Sequence, residues 1–179
     1  WGSETYADDI VTDAFDDADY AITPSGYTAA TSVDLTDTQR EQIIGKGVAY
    51  INAAIYSLHE LYSALSQCSD YLAQGTAYAY DYPYKAVHYW DEGWAFYAGS
   101  AQEVGSTSTS DLAYELAEKR CTDFGTCGAA GSSSDSADRP SLVNRNLLYL
   151  YNLGLEQLVA GSCMAATSTK NLIVSQMTI

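Results

Sequence analysis

Basic residues are scarce in this 179-residue chain: 8 Lys and Arg stand against 23 Asp and Glu, a net charge of −15. That shortage excludes nucleic acid and anionic membrane surfaces as partners, because clusters of cations hold both. No apolar run approaches the ~18 residues a spanning helix needs, so no membrane span is predicted. Histidine is nearly missing, with only His59 and His88, which excludes a His-rich copper or zinc centre by count. The four cysteines, Cys68, Cys121, Cys127 and Cys163, form no Cys-x-x-Cys, so the paired spacing of a structural zinc site is absent. The chain also lacks a glycine-rich phosphate loop, a Gly-x-Ser-x-Gly, a His-Glu-x-x-His and the Glu-x-x-His pair of di-iron bundles. Carboxylate pairs occur, but no substrate-cleft signature accompanies them, so an enzyme is not expected.

What the chain has in excess is tyrosine, 16 against 3 Phe and 3 Trp. It also has an even number of cysteines. Cys121 and Cys127 flank a short Thr-Asp-Phe-Gly-Thr loop, while Cys68 and Cys163 each fall near a predicted helix end. Of the three possible pairings, 121–127 with 68–163 is favoured. Bridges of this kind, with an acidic and Ser/Thr/Tyr-rich composition, indicate a secreted, periplasmic or cell-surface protein. No Asn-x-Ser/Thr sequon adds to that argument. The start at Trp1, with no charged segment and apolar run behind it, reads as a mature or trimmed product.

The periodicity is helical throughout. Residues 1–35 are expected to form an acidic segment packing on a bundle. Within it, Glu4–Tyr20 reads as a short amphipathic helix whose Asp13, Asp16, Asp17 and Asp19 lack the Gly and final Glu of a calcium loop. Residues 36–179 then form one helical domain. A first long helix is expected from Thr36, as cap with Gln39 in the capping-box position, to Gln67. Gly45 and Gly47 weaken its beginning. Its stripe is Ile51, Ala54, Ile55, Leu58, Leu61, Tyr62 and Leu65, with His59 at the border and Glu60 facing away. A Tyr-rich connector over 68–83 leads to a second helix at 84–101, opened by Pro83. A short helix over 111–120, a disulfide loop and a last long helix over 140–161 follow. In that last helix Arg145, Tyr149, Asn152 and Glu156 make one polar stripe, either the solvent face, which is favoured, or the wall of an internal polar pocket. The fold class is therefore all-α, a disulfide-stapled bundle of about four main helices with long loops.

The second helix carries the chemistry. Val87, Trp90, Trp94, Tyr97, Ala98 and Ala101 share one face at 100° per residue. Tyr84, His88 and Asp91 run along its flank, and Glu92 lies one turn above His88. The run Tyr-Trp-Asp-Glu-Gly-Trp-Ala-Phe-Tyr-Ala-Gly-Ser from Tyr89 recurs faintly in Tyr151–Ser162, where Gly154 and a second Ala-Gly-Ser hold similar places. With Ala-Glu-Lys-Arg-Cys-Thr-Asp-Phe-Gly-Thr-Cys at 117–127, the first run resembles the algal iron-assimilation (Fea1-domain) proteins.

That resemblance implies a surface or periplasmic location and iron as the ligand. Ferric iron favours carboxylate and phenolate oxygen and accepts imidazole. The expected metal ligands are His88 and Glu92, with Asp91 on the same turn. His59 and Glu60 could complete the site from the first long helix, and Glu118 or Glu156 from later ones. Tyr84 and Tyr97 rank lower as phenolate donors. If Glu118, Lys119 and Arg120 instead pair with Asp91 and Glu92, all five are structural. The rival function is a metal-free structural or interaction subunit of an algal surface or lumenal assembly. Its tyrosine-rich surface would then serve protein partners or self-assembly.

Overall fold

A computed structural model describes residues 36–74, 83–99, 112–128 and 141–177, together with Asp8 and Thr12. Apart from Asp8 and Thr12, the expected acidic helix over Glu4–Tyr20 lies outside the described residues, as do the connectors at 23–34 and 75–82 and the Gly/Ser tract beyond Gly128. The chain divides into two compact units, Trp1–Ala53 and Ala54–Ile179. In the first, helix α1 spans Asp37–Lys46 and a π-helical turn spans Gly47–Asn52. Thr36 caps α1 through the expected reciprocal box with Gln39. Helix α2, Ala53–Gln74, follows.

Two sequence expectations change here. The single helix from Thr36 is interrupted: the N–H of Ala53 reaches back five residues to Val48. The interruption begins at Gly47, where the local preference for α-helix is lowest. The second half then runs past Gln67 to Gln74, so the first turn and more of the presumed connector is helical.

The second unit contains most of α2, followed by α3 (Tyr84–Ala98), α4 (Ala113–Arg120), α5 (Leu142–Val159) and α6 (Cys163–Met177). Four of these helices have 15 or more residues, and no strand occurs among the described residues, which agrees with the expected bundle. The C-terminal segment after Gly161 forms α6. It packs Cys163, Ala166, Lys170 and Ile173 inward, a repeat of three and four that gives one helical face. Both disulfides are those expected, Cys68–Cys163 and Cys121–Cys127. The first joins α2 to the start of α6. The second closes the loop after α4, and a lone β-bridge from Cys127 to Ser141 leads into α5.

The core of this unit is centred on Trp90, which is 1% exposed. Its indole N–H donates to the Tyr151 carbonyl at 2.8 Å, and its ring meets the Tyr151 ring edge-on at 5.9 Å. The indole can lie that close only because residue 154 is glycine. A Cβ there would fall 1.9 Å from the Trp90 ring. Gly93, its counterpart in the repeated motif, faces α2 instead, with Leu61 and the Ser57 carbonyl against it. The two motifs thus do similar work: each puts a glycine at a helix crossing, and each helix is followed by a left-handed glycine, Gly99 or Gly161.

Around this centre, polar groups are paired across helices. Ser57 donates to the Gly93 carbonyl at 2.6 Å and bonds the Tyr151 hydroxyl at 2.9 Å. The Tyr97 hydroxyl donates to Asn144 at 2.6 Å, and the Asn144 amide donates to the Tyr114 carbonyl and to Glu118. Burial pushes the Tyr97 and Tyr151 phenols well above the ordinary tyrosine range. Both therefore stay neutral hydrogen-bonding groups.

Candidate functional site

Helix α2 does not sit as its hydrophobic pattern suggests. The residues it buries are Ser57, Glu60, Leu61, Ala64, Leu65 and Cys68. This face is rotated by roughly 80° from the apolar stripe, at 100° per residue. The cause is Ser57, whose hydroxyl is consumed by Gly93 and Tyr151 at the crossing with α3. The rotation carries Glu60 inward, to 4% exposure, whereas the sequence reading turned it outward. His59, expected at the margin, is exposed.

Two carboxylates of this unit, Glu60 and Glu115, each hold a buried oxygen with no hydrogen-bond partner, and Glu115 is paired with Lys119 through its other oxygen. In Glu60 the buried oxygen is Oε2. The Glu60 carboxyl is raised above the ordinary range, first by desolvation and then by the negative charge of Glu92. The imidazoles of His59 and His88 and a hydrogen bond from Tyr56 offset part of that rise. Three further expected ligands, His59, His88 and Glu92, are therefore within electrostatic reach of Glu60. His88 and Glu92 are already joined, Nε2 to Oε1 at 3.2 Å, with side chains 57% and 39% exposed. Asp91, on the same turn of α3, is exposed. Among the described residues no three His, Cys, Asp or Glu side chains are gathered into one coordination sphere.

The remaining candidates lie elsewhere. Both Glu118 oxygens accept hydrogen bonds, Oε2 from the Ser141 backbone at 3.0 Å and Oε1 from Asn144 at 2.7 Å. This carboxylate satisfies the N-terminus of α5, a position that favours negative charge. Lys119 pairs with Glu115 and Arg120 with Asp123. Glu156 is exposed on the solvent face of α5 with Arg145, Tyr149 and Asn152, as that stripe suggested. Of the phenols, Tyr97 is buried and donates to Asn144. Tyr84 is 74% exposed and lies parallel to the His88 ring. An open groove beside Cys163, lined by Ser69, Leu72, Ala73, Met164 and Thr167, includes none of His59, Glu60, His88 and Glu92.

An unpartnered buried carboxylate costs stability when ionised, and this gives a measurable sign. Because the folded-state value of Glu60 is raised, the folded protein keeps a proton that the unfolded chain has released. Stability therefore falls as pH rises from the ordinary carboxylate value through the raised one. Replacing Glu60 by Gln removes this fall while keeping an acceptor for Tyr56. The metal-free variant is expected to melt above the parent at neutral pH, the gap closing in acid where Glu60 is protonated. Thermal melts at the two pH values check this, and a variant that melts lower at neutral pH would refute it.

Fold and site together define a disulfide-stapled helical protein with a buried carboxylate, Glu60, on one helix and a His88–Glu92 pair on the next. The chain belongs to the family of low iron-inducible periplasmic proteins, whose pattern matches residues 1–135. His59, Glu60, His88 and Glu92 lie inside that span, and α5 and α6 lie beyond it. Neither a curated protein nor a solved structure matches the chain. The family's compartment and the two disulfides agree in placing the protein outside the reducing cytosol. No helix among the described residues is long and apolar enough to cross a membrane.

Proposed function

We propose that this protein captures iron outside the cytosol and does so as a binding protein rather than an enzyme. The site is the α2–α3 cluster of His59, Glu60, His88 and Glu92, with Asp91 at its rim. The observation that carries this reading is the buried Oε2 of Glu60, which has no hydrogen-bond partner and lies within the field of Glu92 and of the His59 and His88 imidazoles. A bound cation would supply the charge that this carboxylate lacks, and oxygen with imidazole suits iron. Membership of a low-iron-induced family supports the choice of metal. The net charge of −15 favours approach of a cation over that of an anion.

The test is iron affinity of the double variant His88→Ala, Glu92→Gln, measured by equilibrium dialysis on protein shown to be folded by circular dichroism. His88 is exposed and Glu92 half-buried, and neither belongs to the hydrophobic core, so the fold should survive. The expected loss is roughly tenfold or more, about 1.4 kcal/mol per factor of ten. Unchanged affinity would remove the cluster from consideration as the iron site.

A further inference from the structure

The cleft between α2 and α6 has no part in the capture site. Two contacts fix how its walls run. Cys68 is bridged to Cys163, and Tyr62, earlier on α2, meets Lys170, later on α6. The two helices are therefore antiparallel along this stretch. Lys170 follows Thr167 by one turn, and Tyr62 precedes Ser69 by two turns, so each continues the face that lines the open groove. The groove has a volume of about 390 Å³, within the range of small-molecule sites. Leu72 and Met164 on its walls are 59% and 87% exposed.

Lys170 is the unmatched charge of this cleft. It is only 6% exposed. Its Nζ donates to Asn171 Oδ1 at 2.6 Å and lies 4.3 Å above the centre of the Tyr62 ring. The ion pairs among the described residues are those of His88, Lys119 and Arg120 with carboxylates, and none takes in Lys170. An ammonium has three donors, and a buried cation is costly until a counter-charge joins it. Tyr62 above it is itself exposed, so the ammonium lies one side chain below the surface.

We propose that the α2–α6 groove binds a small amphipathic carboxylate, with its apolar chain along Leu72, Ala73 and Met164 and its carboxylate paired with Lys170. This site is independent of the iron-capture reading. From Met164 to Lys170 the helix rises ~9 Å, the reach of a medium-length acyl chain. Met164 is an unbranched, polarisable side chain suited to an irregular apolar ligand. The Ser69 hydroxyl gives the groove a further polar group. The net charge of −15 opposes an anion at a distance, but in 0.15 M salt that field is screened beyond about 8 Å. A contact with the buried ammonium is screened far less.

The test is isothermal titration of the folded protein in 0.15 M salt with octanoate, octanol and acetate. Octanoate is expected to bind roughly tenfold or more tighter than octanol, the difference being the charged hydrogen bond. Acetate, which lacks the chain, should not bind measurably. Lys170→Met keeps the length of the stem, and it should bring octanoate down to the affinity of octanol. Met164→Gln should weaken both eight-carbon ligands alike. The comparison of octanoate with octanol on the unaltered protein stands even if Lys170→Met fails to fold. No octanoate binding, equal binding of octanol, or full octanoate affinity in folded Lys170→Met overturns the proposal. So does N-acetylglutamate amide binding as tightly as octanoate, which would assign Lys170 to an acidic side chain of a protein partner.

Discussion

Replacing Trp90 by Ala is expected to cost about 3–5 kcal/mol, the range for truncating a buried large aromatic. The indole fills the space above Gly154, touches the Tyr151 ring and donates its N–H to the Tyr151 carbonyl. Truncation therefore leaves a cavity at the crossing of α3 and α5 and removes the donor of a buried hydrogen bond. A neighbouring side chain cannot close the gap easily, because residue 154 has none to offer. For a chain of this length the loss should lower the melting temperature by roughly 6–20 °C. Differential scanning calorimetry checks it. A variant melting with the parent would mean that the indole is not the centre of the core. Trp94, only partly buried against the same core, should cost less when truncated in the same way.

The second large effect concerns the two disulfides, which should differ in proportion to the chain they close. Cys68 and Cys163 are 95 residues apart, Cys121 and Cys127 only 6. Restricting the unfolded chain stabilises by roughly 4–5 kcal/mol for the long loop and about 2 kcal/mol for the short one. The Cys68→Ala, Cys163→Ala variant should therefore unfold at much lower denaturant than the Cys121→Ala, Cys127→Ala variant. The long bridge also anchors α6 to α2, and Lys170 of α6 lies over the Tyr62 ring of α2 at 4.3 Å. Its loss should loosen that pair first. Urea unfolding of the two double variants decides the matter: equal midpoints, or a lower one for the short-loop variant, would contradict the argument.

The sequence by itself determined the all-helical class, favoured the observed cysteine pairing and the solvent side of the α5 stripe, and placed Trp90, Tyr97 and Ala98 on the buried face of α3. Each follows from spacing alone. Apolar side chains recurring every three or four residues must lie on one side of a helix, and four cysteines leave few pairings. His88 and Glu92 were legible for the same reason, being one turn apart on one helix. The orientation of α2 was not legible, because a polar residue fixes it. Ser57 lies at the centre of the buried face only through hydrogen bonds to Gly93 and Tyr151, residues 36 and 94 positions away. No local pattern encodes such partners. From that rotation follow the burial of Glu60, its missing partner and the place of Tyr56 beside it. The role of Glu118 was equally hidden, since its two oxygens are taken by Ser141 and Asn144 of another helix. Periodicity reports which side chains share a helix face. Which carboxylate is left buried and unpaired is set by contacts between helices, and only the tertiary structure decided that.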